Sequence, residues 1–357
     1  MKLNISKETI IYIMAPANID TGGPKDLHQL GCELKNLGKK VFMYYFPENQ
    51  TNPVNNNYKI YNLPFVNKIV DNEKNILIVP EINTTIQLSR KYHNIQKVLW
   101  WLSLDFFFIT KFHDNNSKFL RSLIKIPFNL INLLNSLTRN LFGNLSLSKY
   151  LKFIYLIYPF ANIAKVDGIN MNLSQSEYQY KVLKTKEINS LLLKDYIREE
   201  YLDAAKKISI KDKKNIICYN PTKSSKFMKK IIEDNSSIKF IPLAGYNIRE
   251  LIKILSKSKI YMDFGFHPGV DHLPREAGIL KNCIITNKEG SAFYQDAVPI
   301  GIEFKFDEKR KNLILIKNKI IRIFDNFETE IDFFNNYRKR IKDEKNVFKK
   351  QVNDIFN

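Results

Sequence analysis

One local pattern constrains this chain more than any other: it runs once from the N-terminus and starts again past the middle. Residues 9–14 (Thr-Ile-Ile-Tyr-Ile-Met) form a short apolar run, and a turn-rich loop, residues 15–24, carries Gly22-Gly23-Pro24. From Lys25 the apolar residues take helical spacing at Leu27, Leu30, Leu34 and Leu37. Gly38 closes that run, and residues 41–46 are apolar again. A buried run, a glycine loop, an amphipathic helix and a second buried run predict a parallel, doubly wound sheet. Further strands are predicted at 75–79, 97–104 and 169–173, with helices at 82–90 and 177–182 and a loop over 49–72. The charged stretch 194–214 reads as a domain boundary. The pattern then restarts, with strands at 215–219, 238–243, 260–264 and 283–286. Between them lie a helix through Phe227, Ile231 and Ile232 and helices at 248–255 and 273–280.

Two such halves in 357 residues predict an α/β protein of two Rossmann-like domains facing across a cleft. Beyond Lys309 the pattern is helical. Ile331, Phe334, Ile341, Phe348, Val352 and Ile355 make an amphipathic C-terminal helix that is expected to pack against one of the two domains. The expected divisions are 1–200, 201–325 and 326–357.

The net charge is +20, from 56 Lys and Arg against 36 Asp and Glu. An excess of this size implies an anionic partner: nucleic acid, anionic lipid or a phosphorylated substrate. Asn is abundant and Lys outnumbers Arg, so distribution has to decide. Residues 115–166 contain no Asp or Glu, but they carry Lys118, Arg121, Lys125, Arg139, Lys149, Lys152 and Lys165 among aliphatic and aromatic residues. That composition suits an interfacial segment on an anionic membrane. The alternative is a helical insertion packed on its own domain. Outside this segment basic and acidic residues are interspersed, and no nucleic-acid-binding motif is present, so nucleic acid is not expected as a partner.

Cys32, Cys218 and Cys283 are odd in number and far apart, which fits a reducing compartment and no zinc site. The N-terminus lacks the apolar core of a signal peptide, and no window reaches 18 uncharged apolar residues. The expected location is cytoplasmic, at the inner face of a membrane.

Four loops carry candidate chemistry. Asp20-Thr21-Gly22-Gly23-Pro24 lies between a strand and a helix, where glycines admit a ligand and the helix N-terminus attracts an anion. It is neither GxGxxG nor a Walker A loop, and an ordinary tight turn explains it equally well. In the second half, Asn220-Pro221-Thr222-Lys223 puts a cation at a strand-to-helix loop, suited to a diphosphate or simply to solvent. The densest polar loop runs from Asp263 through Phe264-Gly265-Phe266-His267-Pro268-Gly269-Val270-Asp271-His272 into a helix opening at Leu273-Pro274-Arg275-Glu276. There Glu276 can accept bonds from sugar hydroxyls or merely complement the helix N-terminus. His267, Asp271 and His272 also have metal-ligand chemistry, but no HxxxH helix pair or supporting cysteine accompanies them, so no metal is expected. The fourth loop, Gly290-Ser291-Ala292, is a phosphate- or base-contacting turn or an ordinary one.

Taken in order, these features resemble the GT-B superfamily of nucleotide-sugar glycosyltransferases. The resemblance is carried by Gly22-Gly23-Pro24 feeding an amphipathic helix and by the Lys223 loop. The third element is Phe264-Gly265 leading to Leu273-Pro274-Arg275-Glu276-Ala277 and on to 282–286, and the pattern is specific over residues 215–300. It implies a nucleotide-diphosphate sugar as co-substrate, with no resident cofactor and no metal. Glu276 would hold the ribose and Lys223 the diphosphate. Thr222, His267, Gly269, Asp271, His272, Arg275, Gly290 and Ser291 would complete the donor site, and Gly22 and Gly23 the phosphate or acceptor loop. The implied pathway is bacterial surface polysaccharide assembly on a saccharide or lipid-linked acceptor, with 115–166 at the inner leaflet.

Many retaining members carry a second glutamate eight positions before the ribose-binding one. Here that position is Pro268, so stereochemistry stays open. An inverting enzyme needs a general base in the first domain. Asp105, after Trp100-Trp101-Leu102-Ser103-Leu104, is the leading candidate for it and otherwise a helix or turn cap; Asp20 and His28 are the others. The rival readings are a nucleotide-sugar epimerase of similar architecture, a basic nucleic-acid-binding protein and a binding module without turnover.

Overall fold

A computed structural model describes residues 3–104, 107, 110, 166–265, 267 and 269–357. Asp105 and, apart from Val166, the basic segment at 115–166 lie outside the described residues. The chain divides into two compact units. Of the described residues, the first comprises those up to 110, 166–196 and 344–357, and the second comprises 197–343.

The first unit is built on a parallel sheet of six strands: β1 (Ile10–Pro16), β2 (Lys40–Phe46), β3 (Ile76–Pro80), β4 (Gln96–Trp101), β5 (Met171–Ser174) and β6 (Leu191–Leu192), in the order β2-β1-β3-β4-β5-β6. β1 and β3 are buried along almost their whole length. That is why they read as unbroken apolar runs rather than alternating ones. Helix α1 (Gly22–Asn36) opens on the two glycines and Pro24, whose missing N–H is harmless in a first helical turn. It buries Leu27, Leu30 and Leu34 against the sheet and stops where Gly38 takes φ +75°. Helices α2 (Asn83–Ser89) and α3 (Glu177–Lys184) complete the unit's described elements beside the sheet. The segment 49–72, expected as loop, includes a helical turn, Asn56–Tyr61, that buries Tyr58.

The second unit has a parallel sheet of five strands: β7 (Lys214–Tyr219), β8 (Lys239–Pro242), β9 (Ser258–Asp263), β10 (Cys283–Asn287) and β11 (Lys305–Phe306), in the order β11-β10-β9-β7-β8. Its helices are α4 (Glu199–Ala205), α5 (Lys226–Asp234), α6 (Ile248–Lys257), α7 (His272–Ile279) and α8 (Asn312–Asp325). A capping box starts α6: the Glu250 N–H donates to Asn247 Oδ1 at 3.0 Å, and the Asn247 N–H to Glu250 Oε2 at 2.9 Å. Helix α4 lies inside the stretch read as a boundary, and Tyr201 is its one buried side chain.

The last helix, α9 (Asn335–Phe356), differs from its expectation in one respect. Tyr337 and Ile341 pack into the core of the second unit, whereas Phe348, Val352 and Phe356 pack into the core of the first. Its apolar stripe therefore serves two cores rather than one. No helix among the described residues is long and apolar enough to cross a membrane.

Candidate donor site

In the second unit three loops leave the carboxyl ends of the adjacent strands β7, β9 and β10, the edge at which open parallel sheets bind ligands. The β7 loop carries Asn220–Lys223. Asn220 shapes it, accepting the Thr222 N–H on Oδ1 at 3.1 Å and the Ser224 hydroxyl on its carbonyl at 2.6 Å. The β9 loop crosses close behind: the Ser225 N–H donates to Phe264 O at 2.8 Å, and Ser224 bridges to Gly265.

The polar side chains of these loops form one chain of contacts. The Lys223 ammonium is ion-paired with Asp271 Oδ1. The other oxygen of Asp271 accepts from His267 Nδ1 at 2.8 Å. Across the same ring, His267 Nε2 lies 3.8 Å from Asp263 Oδ1. The Tyr261 hydroxyl donates to Asp263 Oδ2 at 2.8 Å. Asp263 and His267 are fully buried, whereas the Lys223 side chain is 31% exposed.

Burial by itself opposes charge on Asp271, but Lys223 and His267 outweigh it and hold its carboxyl well below the usual range. Burial would likewise lower the His267 pKa; Asp263 and Asp271 on its two sides overcome this and raise it. Asp263, His267 and Asp271 each offer a ligand atom, all within 4.8 Å of one another. The Lys223 ammonium supplies positive charge to Asp271.

The β10 loop closes the site from the other side. The Ser291 N–H donates to His267 O at 2.9 Å, and its hydroxyl to Gly269 O at 2.5 Å. Gly290 takes φ +55°, and a Cβ there would lie 2.2 Å from His267 O. Only glycine allows this approach. On α7, Arg275 Nε donates to Asp271 O at 3.4 Å and a guanidinium nitrogen lies 3.3 Å from His272 Nδ1. Glu276 is buried and hydrogen-bonded to the Tyr201 hydroxyl; burial and then that carboxylate push the phenol's pKa upward.

The carboxyl edge of the first sheet is equally polar. His28 is buried, with Nδ1 2.6 Å from Pro24 O and Nε2 2.8 Å from the Tyr45 hydroxyl, and Tyr58 stacks on its ring at 4.4 Å. Burial lowers its pKa to about 4. Both nitrogens of His28, a candidate base by residue type, are hydrogen-bonded inside the core. Asp20 is exposed and accepts from Asn57 and from the Tyr58 hydroxyl, the latter at 2.9 Å. Lys25 is buried against Asp26 Oδ1 at 3.2 Å and Asp195 Oδ2 at 3.7 Å, and it donates to Tyr196 O at 2.5 Å.

Glu81, directly after β3, is buried and accepts the Ser103 N–H at 2.8 Å and the Leu102 N–H at 3.2 Å. Burial outweighs those bonds and raises its pKa from 4.5 to about 7. Between these values the folded chain keeps a proton that the unfolded chain has lost, so this group makes stability fall as pH rises. The span corresponds to roughly 3 kcal/mol. Glu81→Gln is expected to remove that slope in urea titrations run across the window. An unchanged slope would show that the carboxyl is not the group responsible.

No protein-family model matches the sequence, and no curated protein sequence does. Solved structures do match over nearly the whole chain. Sucrose-phosphate synthase from Thermosynechococcus elongatus aligns with TM-score 0.56 at 10% identity, covering 98% of each chain. Anabaena HepE in complex with UDP aligns with TM-score 0.53 at 9% identity, covering 97% of this chain and 98% of its own. An alpha-glucosyltransferase in complex with UDP and a 13-mer DNA aligns with TM-score 0.56 at 12% identity, covering 98% and 99%. The fold is that of the GT-B glycosyltransferases.

On this GT-B chain the structure brings Lys223, His267, Asp271 and Ser291 into one cluster, with Arg275 and His272 at its α7 side. Gly269 and Gly290 supply backbone within it. Thr222 contributes loop geometry. Glu276 is joined to Tyr201. Gly22 and Gly23 open α1 in the first unit, and a Cβ on Gly23 would meet Leu102 Cδ1 at an ordinary 3.5 Å.

Tyr201, Tyr261 and Asp263 are site residues that the sequence reading gives no individual role. The last two stand two apart at the end of a strand, on one face, and that spacing was a usable signal. Nothing local marks Tyr201. The Lys25–Asp26–Asp195 cluster joins residues about 170 apart in the chain and has no local signal either.

Proposed function

We propose that this chain is a glycosyltransferase that moves a sugar from a nucleotide-diphosphate donor to a saccharide acceptor carried on a lipid, in bacterial surface polysaccharide assembly. The observation that carries the donor half is the convergence of a strand-end lysine, a glycine-built loop and a helix-borne glutamate at one sheet edge. Glu276 accepts hydrogen bonds from the ribose hydroxyls, held in place by the Tyr201 phenol. Lys223, the exposed end of a buried ion-pair network, faces the diphosphate and neutralises the charge that builds on it as the sugar leaves. The chain's own cations do this in place of a divalent metal.

The compared structures support the donor class: HepE has been solved with UDP and with UDP-glucose. For the acceptor, support is confined to the sequence of 115–166, whose basic, apolar composition suits an anionic inner leaflet. Asp105 remains the proposed base for an inverting reaction, beside Asp20.

The test is a thermal-shift panel of nucleotides and nucleotide sugars on wild type and Glu276→Ala. A donor at about 100 times its dissociation constant stabilises the fold by roughly 2.7 kcal/mol. Stabilisation by one nucleotide class, lost in the variant, is the expected result. No stabilisation by any nucleotide would overturn the assignment. Product analysis with the selected donor then separates transfer from epimerisation.

A further inference from the structure

The buried network behind Lys223 contains more than a diphosphate site needs. A nucleotide diphosphate brings negative charge to a loop that already holds the carboxylates of Asp263 and Asp271, one of them bonded to the very lysine meant to receive it. Two cations balance the two carboxylates: the Lys223 ammonium and a doubly protonated His267. The geometry calls for that second proton. His267 Nδ1 already has an acceptor in Asp271, while Nε2 and Asp263 Oδ1 face each other at 3.8 Å as buried atoms with no hydrogen-bond partner among the described residues. A proton held by this pair gives each of them an ion-pair partner, and burial, which raises the Asp263 pKa, favours keeping it there. Without that proton Asp263 Oδ1 faces a bare nitrogen.

Among the described residues, the titratable and charged groups at the ring are Tyr261 and Asp263 from β9, Asp271 at the start of α7, and Lys223 from the β7 loop. The guanidinium of Arg275 reaches the Asp271 carbonyl and the His272 ring on α7, and Glu276 lies further along that helix. The β10 loop meets the site through the Ser291 N–H and hydroxyl.

We propose that Asp271 and His267 are positioning residues for the donor's diphosphate: Asp271 fixes the Lys223 ammonium at the mouth of the site, and protonated His267 cancels the carboxylates that would otherwise repel the ligand. This rests on the donor assignment above. The sign follows from the charges. With His267 protonated the four groups sum to zero. When pH rises through its pKa they sum to −1, and an anionic ligand binds more weakly. Since Asp263 and Asp271 raise that pKa from the usual 6.5, the weakening sets in at higher pH than an ordinary histidine would give. Binding also takes up protons in that range, by linkage.

The experiment is calorimetric titration with UDP-glucose, GDP-mannose, ADP-glucose and dTDP-glucose from about pH 6 to about pH 9, in two buffers of different ionisation enthalpy. Diphosphate diesters are chosen because they lack the terminal phosphate that titrates near pH 6. Wild type is expected to lose roughly tenfold in affinity for its donor across the range, with proton uptake. His267→Gln is expected to bind at all pH values as wild type does at the alkaline end, with a flat profile. Asp271→Asn removes a negative charge beside an anion, so a simple field effect would tighten binding; loss of lysine positioning weakens it, by roughly 10- to 100-fold.

His267 is buried and its variant can fail to fold, but the Asp271 side chain is partly exposed, and its variant decides the positioning claim alone. A folded His267→Gln protein with the wild-type pH profile, or an Asp271→Asn protein that binds as tightly as wild type, overturns the proposal. Lys223→Met, expected to lose the nucleotide sugar but keep the nucleoside, tests the donor assignment separately. If that variant binds normally, or wild type binds none of the four, the donor assignment falls first.

Discussion

Gly265→Ala is expected to unseat the Lys223 loop and abolish donor binding. A Cβ at this position would lie 2.1 Å from Lys223 O, 2.7 Å from Lys223 C and 3.3 Å from Ser224 N. All three atoms are backbone, so no side chain can swing aside. The loop has to move off the end of β9, breaking the Ser225 N–H to Phe264 O bond and carrying Lys223 away from Asp271. Overpacking against backbone costs roughly 3 kcal/mol or more, and for a protein of this size that is roughly 4 °C in melting temperature. Gly23→Ala is the control for stability alone, because its Cβ meets one leucine methyl at ordinary distance and its φ is not positive. Differential scanning calorimetry on both variants and a nucleotide titration on Gly265→Ala check the prediction. A Gly265→Ala protein that melts and binds like wild type would mean the two loops do not cross as described.

The second large effect is on stability alone. Lys213 is buried beneath the sheet of the second unit, and its ammonium donates to Leu280 O at 2.6 Å and to Leu255 O at 2.9 Å. Asn282 Oδ1 lies at 3.4 Å. Leu255 is in the last turn of α6, and Leu280 caps α7. One cation thus satisfies carbonyls at the C-termini of two helices, where orphan acceptors and the negative end of the helix dipole meet. Burial pulls its pKa down to about 7, a sign of the desolvation that these bonds offset. Lys213→Met keeps the stem's volume and leaves the acceptors dry and unpaired. The expected loss is about 2–4 kcal/mol, read in urea unfolding of the full chain. A loss below about 0.5 kcal/mol would show that water or a local shift replaces the ammonium.

The chain's local grammar determined which segments became strands and helices. β1, α1, β2 and β7 through β10 lie within a few residues of where apolar spacing puts them, because the periods of 2 and 3.6 are properties of the backbone itself. The loops at the strands' carboxyl ends were legible for the same reason: Gly, Pro, His and Asp crowd where a strand must turn into a helix. Helix α4 escaped because it turns Glu199, Glu200 and Asp203 to solvent and buries only Tyr201, so its charge pattern imitates a linker.

What only the tertiary structure decided is who meets whom. Lys223 finds Asp271 across 48 residues, and Glu276 finds Tyr201 on another helix. His28, an attractive base by residue type, proves to be a stacked core ring. A charge's role depends on its neighbours within a few ångströms and on its burial. Both are products of strand order, and no local period in the sequence encodes them.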